Sequence, residues 1–145
     1  MSKIKSFRGK LADGTQERIS LQTNNGLTGY RIKKLHIIPA EPGKYTQEIT
    51  VQVFSTERSS VGATVDFSDQ TLLGVAIYAQ SADSYNSFTS VVFDSNVFNQ
   101  DIYVTLQDTQ NNDGGNYYIE LEQMKLDLNE QTVATLKDIR NVGAE

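Results

Sequence analysis

The chain has 145 residues, 38% hydrophobic and 21% charged, with a formal net charge of −5 and no Cys. That length suits one domain whose core needs no staple, and the lack of thiols excludes disulfides, Cys nucleophiles, Cys-based zinc sites and iron–sulfur clusters. No apolar run nears the roughly 20 residues that span a bilayer, and the start MSKIKSFRGK lacks an apolar signal-peptide core, so a soluble protein made in the cytoplasm is expected, with no membrane partner.

Residues 1–10 stand apart. Lys3, Lys5, Arg8 and Lys10 give them +4, which leaves −9 for the remaining 135 residues if the total is −5. With only Ile4 and Phe7 as apolar anchors, this stretch is expected to be a loosely held basic arm or an edge strand. Its four cations are candidate partner-binding residues for an acidic surface. The acidic body argues against nucleic acid, which needs a basic patch to displace counterions. The cluster Arg31, Lys33, Lys34 reads as lysines guarding an edge strand.

From residue 11 the dominant period is two. Ile19 and Leu21, then Ile49, Val51 and Val53, then Ala63, Val65 and Phe67, then Leu73, Val75 and Ile77, then Ile102, Val104 and Leu106 alternate with polar or small neighbours, as half-buried strands do. ADGT, TNNG, PAEPGK, SADSYNS and NNDGG punctuate them with turn formers. This predicts an all-β, antiparallel β-sandwich or jelly-roll-like single domain over 11–127.

Two segments change phase. Tyr30 and Ile32 give way to Leu35 and Ile37, and Ile119 and Leu121 give way to Met124, Leu126 and Leu128. A regular strand cannot keep both halves in one core, so a bulge or break is expected within Ile32–Leu35 and within Leu121–Met124.

Residues 109–120, TQNNDGGNYYIE, nearly match a calcium loop, with Asn111, Asp113, Gly114 and Glu120 in place but Thr109 where the first acid belongs. Strand-like sequence flanks the stretch where helices should stand. The expected structure is therefore a hairpin joining Ile102–Gln107 to Tyr117–Leu121, with no metal.

No catalytic residue is assigned. His36 is the single histidine and sits on an alternating strand, which suits a solvent-facing residue better than a general base. Glu120 and Glu122 share a strand face but read as the wet side of a sheet rather than an acid/base pair. Tyr103, Tyr117 and Tyr118 could stack a sugar, yet packing explains them equally well. In residues 128–145, the Asp127-x-x-Glu130 capping pattern, the stripe Val133, Leu136, Ile139 and the late cations Lys137 and Arg140 predict one short C-terminal helix that must dock on something.

The segments TNNGLTGYRI, FNQDIYVTLQD and NYYIELEQMKLDLNEQTVATLKDIRN resemble a family of small proteins encoded among the structural genes of marine tailed bacteriophages, over most of the chain. The resemblance implies a non-enzymatic virion component on the capsid surface, and it carries no catalytic residue, cofactor or ligand motif. The function expected from it is a head decoration or capsid-stabilising protein, lattice-bound or homo-oligomeric. Its partners would be the major capsid protein and copies of itself. The alternatives are a carbohydrate-binding β-sandwich module of a tail or fibre, and a minor capsid or head–tail component.

Overall fold

The computed structural model describes residues 3–23, 26–43, 46–81, 87–110 and 112–127. The expected C-terminal helix, residues 128–145, lies outside the described residues. Eight strands follow one another: β1 (Lys3–Leu11), β2 (Thr15–Ile19), β3 (Thr28–Pro39), β4 (Gln47–Phe54), β5 (Leu72–Gln80), β6 (Ser87–Phe93), β7 (Ile102–Asp108) and β8 (Gly115–Lys125). The fold is all-β. One sheet has the order β1-β8-β3 and the other β2-β7-β4-β5-β6, and every pairing is antiparallel.

Alternation builds the core. Ile32, Leu35, Ile37, Ile119 and Leu121 from the first sheet meet Ile49, Val51, Val53, Val104 and Leu106 from the second in a single cluster. Each is at most 6% exposed. Burying side chains of this size contributes about 1.5–3 kcal/mol apiece, so this contact outweighs any surface term in holding the sheets together.

The first phase change is a bulge. Ile32 pairs with Leu121 and Lys34 with Glu120, which leaves Lys33 as an extra residue in β3. Because of that insertion, Tyr30, Ile32, Leu35 and Ile37 all face inward. The second expected break is not there. β8 runs unbroken through Leu121–Met124, and Met124 stays half-buried on the outer side, opposite Gly29. The chain instead leaves the ladder after Lys125, and the Leu126 N–H donates to the Leu27 carbonyl at 2.8 Å. Leu126 is 7% exposed there, packed beside Gly29 and outside the cluster that joins the two sheets.

Other expectations need correction. The hairpin does not form, because β7 already has β2 and β4 as neighbours and β8 has β1 and β3. The turn residues supply the positive φ that their composition promised, at Asn112 (58°) and Gly114 (77°), but they carry the chain from one sheet to the other. Gly114 is required there, since a Cβ would lie 2.3 Å from the Leu11 carbonyl oxygen. Ala63 and Val65 are half-buried while Phe67 is exposed, and the segment joins no ladder. Its carbonyls at Gly62 and Thr64 accept instead from the buried Gln52 amide.

In β5 the inward positions belong to Gly74, Ala76 and Tyr78, opposite Val53, Val51 and Ile49, so the apolar set Leu73, Val75, Ile77 is out of phase. The register shift next to Leu73 lets that residue join the cluster between the sheets, while Val75 is buried, 4% exposed, outside that cluster. Of the two expectations for residues 1–10, a loose arm or an edge strand, the edge strand forms. β1 pairs with β8 along all nine of its residues, at the edge of the first sheet.

Candidate functional site

The outward face of the three-stranded sheet carries four cations, Arg8, Lys10, Arg31 and Lys34. Register sets them in cross-strand rows: Ile4, Glu122, Arg31; then Ser6, Glu120, Lys34; then Arg8, Tyr118, His36; then Lys10, Asn116, Ile38. The first two rows are internally neutralised. Arg31 Nε donates to Glu122 Oε1 at 2.5 Å, and Lys34 Nζ stands 3.9 Å from Glu120 Oε2. Tyr118 also donates its hydroxyl to Glu120 Oε2 at 2.7 Å. That hydrogen bond is the main reason its phenol titrates above the ordinary tyrosine value, with Arg8 pulling weakly the other way.

The upper two rows differ. A shallow depression of about 510 Å³ is lined by Arg8, Gly9, Lys10, His36, Ile38, Asn116, Tyr117 and Tyr118, with no carboxylate among them. The His36 and Tyr118 rings lie 6.2 Å apart at 42°. Ile38 at one end of the face and Ile4 at the other are 58% and 54% exposed. The face therefore combines an apolar and aromatic floor with two projecting cations. That composition is of the kind that can meet an anionic surface by charge and apolar contact together.

Gly9 makes the floor possible. A Cβ there would lie 3.0 Å from Tyr117 Cε1 and 3.1 Å from Glu17 Oε1. The Tyr117 ring passes beneath β1, and its hydroxyl donates to Glu17 Oε1 on β2, tying the edges of the two sheets. Burial first, then the hydrogen bond and charge of Glu17, push the Tyr117 phenol far above its usual value.

Strand alternation divides the four candidate cations. Arg8 and Lys10 project from the outer face with Tyr118, whereas Lys3 and Lys5 alternate onto the side that carries Phe7. Asn116 and Ile38 were not singled out by sequence, and Tyr118 only as one of three tyrosines that could stack a sugar. The signal present was the spacing of Tyr118, Glu120 and Glu122, which puts all three on one face. Glu120 and Glu122 each face a basic residue across the strand rather than one another, an arrangement of ion pairs and not of a general acid with a base.

The near-match to a calcium loop is dispersed in space. Glu120 sits in mid-β8 facing Lys34, while the Asp113 N–H donates to Asp108 Oδ2 at the start of the crossing. Among the described residues no group of three or more His, Asp or Glu side chains is placed to hold a metal ion. Comparison with protein-family models finds none that matches the chain, and comparison with curated proteins finds no match either.

Proposed function

We propose that this chain is a non-enzymatic virion structural protein, a head decoration or capsid-stabilising protein of a tailed phage. In this reading it attaches through the outer face of β1-β8-β3 to an acidic capsid surface. The observation that carries it is the placement of Arg8 and Lys10 beside Tyr118, His36 and Ile38, in a depression without a carboxylate, on a chain of net charge −5. One cation–carboxylate contact at about 4 Å contributes only about 1 kcal/mol in water. A lattice that engages many copies at once, with Ile38 and Tyr118 covered, suits such individually weak contacts.

The family resemblance supports the same reading, and so does strand order. We infer a jelly-roll-like sandwich: β1 pairs with β8, β2 with β7 and β4 with β5, as in a long hairpin wrapped across two sheets. β6 departs from that scheme by adding to β5 instead of β3. Jelly rolls serve in both capsid and lectin domains, so strand order alone does not choose between them.

The test is cosedimentation of the purified chain with empty shells assembled from the major capsid protein encoded beside it, over a salt series. Saturable binding that weakens between 50 and 300 mM salt is expected, since charge contacts are screened over roughly 8–10 Å near physiological ionic strength. No binding at any salt refutes the proposal. Binding to acidic oligosaccharides that is lost in Tyr118→Ala, without shell binding, would favour the carbohydrate reading.

A further inference from the structure

Sheet margins expose unpaired N–H and C=O groups, and proteins block them with charge, bulges or short strands. Among the described residues four strands lie at such margins, β1 and β3 in one sheet and β2 and β6 in the other. Three are blocked. β1 carries Lys3, Lys5, Arg8 and Lys10; β3 carries Arg31, Lys33 and Lys34 with its bulge; β2 is only five residues long and includes Glu17 and Arg18. β6, SFTSVVF, has no charge, no Pro, no Gly and a regular register with β5. Its side chains are exposed apart from half-buried Val91. Phe88 and Val92, which share a face by alternation, are 59% and 50% exposed, and Phe67 nearby is 68% exposed. A cleft of about 240 Å³ opens between Phe67, Leu72, Val92 and Phe93.

We propose that β6 pairs antiparallel with β6 of a second copy of this chain, about a two-fold axis through Ser90, so that the two larger sheets become one. Charge selects this occupant. Copies of net charge −5 repel one another over most of their surface, and β6 is the margin where they meet without like charges in register. The sequence is also complementary to itself about Ser90. Phe88 falls opposite Val92 of the second copy, Thr89 opposite Val91 and Ser90 opposite Ser90, and the pairs repeat in reverse, as an isologous interface requires. Only this axis pairs all seven residues of the strand. It also sets Phe88 of the second copy beside Val92, at the mouth of the cleft. The inference does not rest on the attachment proposal: sedimentation of the chain alone reads this one, and cosedimentation with shells reads the other.

The experiment is sedimentation velocity of the full chain across micromolar to millimolar concentration, with variants at exposed Ser90. The wild type is expected to dimerise. Ser90→Lys places two ammonium groups face to face, and should raise the dissociation constant at least tenfold with an unchanged far-ultraviolet spectrum, and with an unchanged melting point at concentrations where both proteins are monomeric. Mixing Ser90→Lys with Ser90→Glu should restore a dimer of one copy of each. Because the chain has no Cys, Ser90→Cys should give a covalent dimer under mild oxidation, whereas Phe88→Cys should not. Two copies of residue 88 would stand about 14 Å apart in this register, at about 3.4 Å per residue. A wild type that stays monomeric throughout overturns the proposal. So does an oligomer that Ser90→Lys leaves intact, or one in which Phe88→Cys cross-links as readily as Ser90→Cys.

Discussion

Deleting Lys33 tests the link between sequence phase and core most sharply. The bulge at Lys33 lets Ile32 and Leu35 share one face. Without it the ladder becomes regular, and one half of β3 must turn over. If the half toward Pro39 turns, Leu35 (2% exposed) and Ile37 (6%) go to solvent while Lys34 and His36 point into the core. Exposing the two apolar side chains costs about 3–6 kcal/mol at about 1.5–3 kcal/mol each, before Lys34 is desolvated. Turning the other half instead expels Tyr30 and Ile32, at a similar cost. Against a typical stability of 5–15 kcal/mol, that is a large fraction. With a urea slope of about 2 kcal/mol/M, the midpoint should fall by about 1.5–3 M, or the protein should not fold. Lys33→Ala keeps the extra residue at an exposed position and should stay within about 0.5 kcal/mol of wild type. A deletion variant with the wild-type midpoint, or a Lys33→Ala variant as damaged as the deletion, would refute the reasoning.

Leu121→Ala empties a site that is 0% exposed at the centre of both sheets' contact, and should cost about 2–5 kcal/mol by urea unfolding; a loss under 1 kcal/mol would mean the core is not shared. Arg58 holds the segment between β4 and β5: its guanidinium donates to Asp69 Oδ2 and Thr71 Oγ1 at 3.1 Å and lies 4.2 Å from the Phe54 ring centroid. Arg58→Ala should lower stability by about 1–2 kcal/mol and open residues 58–70 to protease before global unfolding; an unchanged cleavage pattern would count against this anchoring. Tyr117, Tyr30 and Tyr118 all titrate above the ordinary tyrosine value. With the folded value raised, the unfolded chain loses these protons first, so stability is whole below about pH 10 and falls as pH rises beyond it. Tyr117→Phe should flatten that fall, and an identical alkaline profile in the variant would contradict the assignment to Tyr117.

What could be read from the sequence depended on whether the signal was local. The Lys33 bulge was legible because one inserted residue sits between two clean alternations, Tyr30/Ile32 and Leu35/Ile37. The same logic failed at Met124, since Met124 and Leu126 stay outside the shared core and need no change of phase to be covered. Asn112, Asp113, Gly114 and Gly115 encode a backbone that turns, but not which strand the chain meets after turning. That choice was made by β2, β4, β1 and β3, all remote in sequence. β6 escaped notice because its exposed side chains on both faces show no core period, whereas Ala63–Phe67 shows the period without a partner strand. The basic residues of the site were visible as a run. Their division into Arg8 and Lys10 against Lys3 and Lys5 follows only once β1 is a strand, and the neighbours Tyr118 and His36 follow only from the β3–β8 register.

In the proposed attachment, one face of β1, and not the net charge of the N-terminal segment, meets the partner. The most direct measurement compares two double variants with the same change in charge, Arg8→Glu with Lys10→Glu and Lys3→Glu with Lys5→Glu, for cosedimentation with empty shells at low salt. The account predicts that the first pair loses binding by at least tenfold and the second by no more than about threefold. Equal loss in both pairs, or no loss in either, would contradict it.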